Sequence, residues 1–406
     1  MQLETGGTAT PSWSRSRRGA FNGLLALTMA ASTFSFTTFS VLSRPLLEAF
    51  ALRRWQLGAL VTATAAVGAL TSPVLGRVSD RIGGRGALEL TLGLSAAVLV
   101  GLALSPAYLI LIVAALAAGL AQATANPGTN KLIGLHAAGG TRGTVTGIKQ
   151  AGVQAGVFLG GSLLPLGALH IGWRQTLLIA AGVPVLGLLA SRRLIPADTP
   201  TDAGSALDQI RASRSPFLLR LALYGFLIGA GWSAVFTYLP DYAQTALGWS
   251  PTRAGLLVSV AGLCGMAGRI GWSRLAERRL GAPATLMALA VIGLAAVLAV
   301  LLAARSPALL WLGAAALGAS SGSWNSVGMF AVIDRMPPHL SGAASGVVMF
   351  GFLIGLGTGA PLFGWAVDVT ATYAPGLLTV MVVHLAGLWI AGTLRTAPLV
   401  AGGVAR

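Results

Sequence analysis

The chain has 406 residues, 55% of them hydrophobic and only 9% charged, with a mean hydropathy of +0.77. Such a composition leaves too little polar surface to meet water on all sides and points to a chain that lies in a bilayer. The formal net charge of +16 is not a nucleic-acid footprint, because the arginines sit between apolar runs and form no basic, aromatic-laced face. Cys264 is the single cysteine, which excludes internal disulfides and cysteine-rich metal sites. His136, His170, His339 and His384 are scattered and fit no metal-ligand spacing, so no metal or cofactor is expected.

Taken in order, the chain opens with a polar tail over 1–19 in which Arg15, Arg17 and Arg18 precede an apolar run over 20–41. That run is too long for a signal-peptide core and reads as a retained first helix. Five more runs of spanning length follow near 56–75, 87–105, 108–130, 143–166 and 174–195, which closes a first bundle over 20–195. A polar linker over 196–215 carries Asp198, Asp202, Asp208, Arg211 and Arg214. Six further runs near 217–240, 253–272, 283–303, 307–331, 342–366 and 373–394 make a second bundle over 216–395, before a tail over 396–406. Each run is long enough to cross a hydrocarbon core of about 30 Å as a helix, giving an all-α membrane protein of twelve spans. Placing the N-terminus in the cytoplasm puts most arginines and Lys131 on the inner side, as the positive-inside rule requires.

Two stretches repeat one another. Gly76–Leu88, GRVSDRIGGRGAL, forms a short basic loop between the second and third runs, and Ser273–Gly281, SRLAERRLG, recurs a chain-half later. A shift of 197 residues places Asp80 on Glu277, Arg81 on Arg278, and the GALV at Gly58–Val61 on the GLLV at Gly255–Val258. Position and echo together resemble the loop signature of the major facilitator superfamily, over essentially all of the chain after the first twenty residues. That resemblance implies two six-helix bundles in parallel orientation that rock around a substrate site near mid-membrane, with ions or substrate gradients supplying the energy. It also implies that Gly76, Asp80, Arg81, Arg85, Glu277 and Arg278 hold the cytoplasmic ends of the halves together by conformational contacts. No GxxxxGK[ST] loop supplies an ATP site, and no nucleophile–base or paired-carboxylate set suggests an enzyme.

Lys149 is the one charge well inside a run, in GIKQAGVQAGVFLGG at Gly147–Gly161. An ionisable group there is a functional candidate by default; the competing reading is that its chain reaches back to the cytoplasmic surface, since Arg142 stands only seven residues earlier. Gln150 and Gln154 share a helix face beside it, and a cation with two amides suits a small anion. Gly152, Gly156, Gly160 and Gly161 are similar to the superfamily's fifth-helix exporter motif, with Val157 in place of its proline; close helix packing explains the same glycines. Asn126 and Asn325 are related by a shift of 199 residues and either bridge helices or face the ligand. Trp232, Tyr238 and Trp324 are candidates for the pocket wall or for packing, and Arg269 for a second anion contact or a partner of the basic loop. Arg44 and Asp241, matched by the 197-residue shift, are a candidate outer gate.

No acidic residue falls near the middle of a run, while the strongest interior charge is positive, so an anionic substrate is expected over a cationic one. The expected function is symport or exchange of a small, carboxylate-like organic anion, with a coupling proton. The alternative is efflux of an apolar or weakly polar drug or metabolite by proton antiport. The GIKQAGVQAG stretch resembles bacterial organic-anion permeases of the cyanate-permease-like group. The compositional bias toward Ala, Gly, Leu and Arg reads as bacterial, so the expected setting is the inner membrane, with the bilayer and a small molecule as partners and the monomer as the working unit.

Overall fold

The computed structural model describes residues 13–52, 54–138, 140–196, 215–249 and 251–395. The expected linker over 196–215 and the two terminal tails therefore fall largely outside the described residues. Thirteen α-helices are described: α1 (Arg15–Val41), α2 (Ser43–Ala49), α3 (Arg54–Ala103), α4 (Tyr108–His136), α5 (Arg142–Ile171), α6 (Trp173–Leu194), α7 (Pro216–Thr245), α8 (Pro251–Leu275), α9 (Gly281–Leu301), α10 (Pro307–Ala319), α11 (Trp324–Arg335), α12 (Ser341–Thr370) and α13 (Ala374–Thr393). Hydrocarbon offers the backbone no partners, so apolar segments of this length close their hydrogen bonds internally. Buried hydroxyls do the same by bonding back one turn, as Thr28 does to Leu24 at 2.9 Å and Ser72 to Gly68 at 2.6 Å.

Among the described residues nine continuous segments are long and apolar enough to span a bilayer. Two of them, Ala59–Ala103 and Leu256–Leu301, are double length, and each folds back at a single glycine. Gly83 turns α3 at φ 83°, ψ 163°, and Gly281 turns the second at φ 73°, conformations that a side chain resists. The basic loop expected over Gly76–Leu88 is thus mostly helix, with the reversal concentrated at Gly83. Its echo is a π-helical turn, Ala276–Leu280, followed by Gly281. The tenth run is broken where a continuous helix was expected: α10 stops at Ala319, four turn residues follow, and α11 starts at Trp324. The carbonyls freed by this break find partners, since the Trp272 indole donates to the Ala319 oxygen at 2.8 Å. Ser321 and His384 meet at 2.9 Å beside the break. With the two double-length segments each counted twice and the broken span over 307–335 added, the chain has the twelve-span, two-bundle fold.

Two of the four buried apolar clusters lie wholly in the second half of the chain and one wholly in the first. The fourth joins first-half residues to Ile333 of α11. The halves meet through α3 with α12 and α5 with α8. Gly143 and Gly147 of α5 lie so close to Ser273 and Arg269 of α8 that a methyl group at either position would strike them.

Candidate substrate site

Between the halves lies a cavity of about 240 Å³, lined from α1, α3, α4 and α5 on one side and α7, α8, α11 and α12 on the other. Its wall is mostly apolar, with Met349, Phe352, Leu353 and Leu356 contributed by α12. The polar wall consists of threonine and serine hydroxyls, the amides Gln122, Asn126, Gln154 and Asn325, and one charged group, the Arg269 guanidinium. No carboxylate lines the cavity among the described residues.

Arg269 is 8% exposed and leans on the opposite half. Its Nη1 donates to the Gln150 backbone oxygen at 3.2 Å and to Gln150 Oε1 at 3.4 Å. Its Nε is buried with no hydrogen-bond partner among the described residues, as is Asn325 Oδ1. A guanidinium presents five donors, so this one retains capacity for an anion at the cavity wall. Asn325 stands in the first turn of α11, directly after the break, and its Nδ2 reaches Gln150 Oε1 at 3.5 Å. The interruption of the tenth span therefore brings an amide and a helix N-terminus to the cavity edge.

Lys149 lies one layer behind this wall and is fully buried. It neither lines the cavity nor reaches back to the surface. Its ammonium donates to Asn126 Oδ1 at 3.2 Å, Thr129 Oγ1 at 2.8 Å and Asn130 Oδ1 at 2.5 Å, all on α4. Three donors meet three neutral acceptors, which is how a cation without a counter-ion is held in an apolar interior. Gln150 also lies behind the wall and donates from Nε2 to Asn126 Oδ1 at 2.7 Å. A continuous seam thus runs from Lys149 through Asn126 and Gln150 to Arg269 and Asn325. Asn130 extends it across the halves by donating to Ser345 Oγ of α12 at 2.7 Å. Asn130 was missed in the sequence; its spacing of four from Asn126 on α4 was the available signal.

The other candidates are distributed as follows. Gln154 and Trp232 line the cavity, and Trp232 stacks on Phe236 with ring centroids 4.3 Å apart. Trp324 does not line the cavity; it is buried against Tyr224 and the wall residue Phe352. Tyr238 stacks on Phe363 nearer the far end of the bundle. Gly152 and Gly156 pack against the carbonyl oxygens of Ala26 and Ala30, which gives the α5 glycines a packing role against α1; Gly161 has open space beside it.

At the end of the bundle that carries the two reversals, hereafter the basic face, the halves are latched twice. Asp80 Oδ1 accepts from Gly342 N at 2.9 Å and Oδ2 from Ala343 N at 2.8 Å, so one carboxylate caps the start of α12. Gly76 backs directly onto Gly342, leaving no room for a Cβ. Lys131 is buried and donates to the Asp80 backbone oxygen at 2.5 Å. In the other half Glu277 Oε2 accepts from Thr144 N at 3.4 Å, in the first turn of α5. Arg81 and Arg278 are exposed, and Arg85 pairs with Glu89 at 3.0 Å. At the far end, Asp241 accepts from the Tyr373 hydroxyl. The side chain of Arg44 lies outside the described residues, and with it the candidate Arg44–Asp241 gate.

The chain belongs to the Major Facilitator Superfamily, whose family model matches residues 24–360 and, in a second match, 221–403. It is accordingly a multi-pass membrane protein, and the family is one of transporters, not of enzymes. It is 28% identical over 265 residues to monocarboxylate transporter 13 of Bos taurus, covering 63% of this chain and 60% of that protein. It is 27% identical over 142 residues to a probable sugar efflux transporter of Helicobacter acinonychis, covering 34% of this chain and 36% of that protein. The match therefore spans less than two thirds of either relative. A solved proton:xylose symporter, XylE, superposes with a TM-score of 0.73 at 15% identity, covering 95% of this chain and 97% of that one, a likeness of fold.

Proposed function

We propose that the chain carries a small monocarboxylate-like anion by alternating access, with Arg269 as its electrostatic anchor. The observation behind this reading is that Arg269 is the only charged group among the described residues lining the cavity between the halves, with Nε free of protein partners. A carboxylate at Nε would complete the guanidinium fork, while Asn325 and Gln154 offer amide N–H groups alongside. The apolar α12 wall would take the short alkyl or keto end of the substrate. Lys149 acts one layer back by fixing Asn126 and Asn130, and so the seam that holds Gln150 under Arg269. The similarity to a monocarboxylate transporter agrees with this substrate class, and the finer likeness to cyanate-permease-like carriers rests on the GIKQAGVQAG stretch alone. A coupling proton, a bacterial inner membrane and cytoplasmic termini complete the proposal, the last from the concentration of arginines at the basic face.

The second reading, efflux of an apolar or weakly polar compound, draws on the apolar α12 wall and on the similarity to a probable sugar efflux transporter. A thermal-shift comparison of short monocarboxylates with their neutral amides separates the two, because a ligand that binds only the folded protein raises its stability. Carboxylates should stabilise the parent, amides should not, and Arg269→Gln should abolish the response. Stabilisation by neutral amphiphiles only, unchanged in Arg269→Gln, would put the efflux reading in its place.

A further inference from the structure

A second, larger cavity of about 710 Å³ opens at the basic face, separate from the central one. Arg15 and Arg18 of α1, with Trp13 just before them and His136 at the end of α4, form its first-half wall. Arg274 at the end of α8 and Arg278 in the π-helical turn form its second-half wall. No carboxylate lines it among the described residues. Glu277, the nearest in sequence, is engaged with the Thr144 N–H at the start of α5.

The arginines are exposed and largely uncommitted. Arg18 spends its Nε on the Trp13 backbone oxygen at 2.9 Å, a contact between two residues of the lining. Trp13 in turn stacks on the His136 ring, centroids 5.3 Å apart. The side chains of Arg15, Arg274 and Arg278 make no hydrogen bond or ion pair with another described residue. Four exposed guanidinium groups around one concavity give it a positive field that attracts an anion. The volume exceeds what a short carboxylate fills and falls in the range of sites for larger ligands. A phosphate group, with up to two charges and several acceptor oxygens, is the anion that several arginine forks engage at once.

We propose that this cavity is a binding site for a phosphate-bearing anion, held between the two halves, and that its occupancy favours the state in which the basic face is closed. Arg15 and Arg18 move with one half and Arg274 and Arg278 with the other, so a ligand bridging them binds this state better than one in which the halves have parted there. Two sources share the chemistry, a phospholipid head group and a soluble phosphate compound. The site is independent of the transported substrate and does not rest on the carboxylate reading.

The test uses the full chain, thermal unfolding and two probes: pyrophosphate added in detergent, and phosphatidylglycerol nanodiscs set against phosphatidylcholine nanodiscs. The variants are Arg274→Gln/Arg278→Gln and Arg15→Gln/Arg18→Gln, with Arg279→Gln as an exposed neighbour outside the cavity. Stabilisation of the parent by pyrophosphate, weakened about tenfold in concentration by either double variant and unchanged in the control, supports a soluble ligand. Stabilisation by phosphatidylglycerol alone with the same pattern of variants assigns the site to lipid. Spin labels at positions 193 and 280, in a Cys264→Ser background, should shift toward the shorter separation when the effective probe is present. No stabilisation by either probe, an equal loss in Arg279→Gln, or an unchanged spin-label distance would overturn the proposal.

Discussion

Arg269 and Gln150 face each other across the interface of the two bundles, with one guanidinium nitrogen 3.2 Å from the backbone oxygen and 3.4 Å from the side-chain oxygen of the glutamine. The contact ties α8 of the second half to α5 of the first at the edge of the central cavity. On the proposed alternating access this contact changes as the halves rock, which would couple anything bound to Arg269 to the conformational state.

Lys149 and Arg269 should therefore separate experimentally. Lys149→Met removes the donor shared by Asn126, Thr129 and Asn130 and leaves the buried Asn130 Oδ1 without its donor, at a cost of about 1–3 kcal/mol in stability. Its effect on substrate affinity should follow the loss of folded protein and the loosening of the seam. Arg269→Gln should do the reverse, sparing thermal stability while lowering affinity. Unfolding temperature and substrate Kd measured on both variants check the crossing pattern; equal loss of affinity with no loss of stability in Lys149→Met would place Lys149 in direct contact with substrate.

The latch at the basic face yields a second prediction. Asp80→Asn keeps a side-chain oxygen for one of the two N–H groups of Gly342 and Ala343 but removes the charge at the α12 N-terminus, a loss of about 1 kcal/mol. Gly76→Ala drives a methyl into the Gly342 carbonyl, so the halves cannot close fully. Spin-label distances across the basic face should lengthen in both variants, and more in Gly76→Ala.

The α5 glycines provide an internal comparison. Gly152→Ala and Gly156→Ala force contact with the Ala26 and Ala30 carbonyl oxygens and should lower the unfolding temperature clearly, by a cost of about 1–3 kcal/mol. Gly161→Ala meets nothing within 4 Å and should be neutral or slightly stabilising, since it replaces a helical glycine. Equal behaviour of all three would remove packing as the reason for the stripe.

The spans and the two-bundle plan were legible because charge is expelled from hydrocarbon and because Asp80 and Glu277 recur at one fixed interval. What the sequence hid was depth and facing. Lipid-facing and protein-facing sides of these helices are both apolar, so no amphipathic stripe tells which side of α5 meets the cavity. Lys149 stood out as a buried cation, yet its satisfaction by three α4 groups depends on how α4 and α5 pack. Arg269 sat close to a charged turn and looked like part of it. The structure instead places Arg269 at the cavity wall, where α5 and α8 pack closely at Gly147. The break at Ser320–Ser323 that delivers Asn325 was masked by a run apolar enough to read as one helix.

The most direct test of the central claim is counterflow of labelled short monocarboxylates in proteoliposomes holding the parent, Arg269→Lys or Arg269→Gln. The parent should exchange at least one of them, Arg269→Lys should retain part of the rate, and Arg269→Gln should fall by about tenfold or more, the worth of a charge-assisted hydrogen bond. Exchange by Arg269→Gln at the parent rate, or a folded parent that exchanges neutral compounds and no carboxylate, would contradict the account.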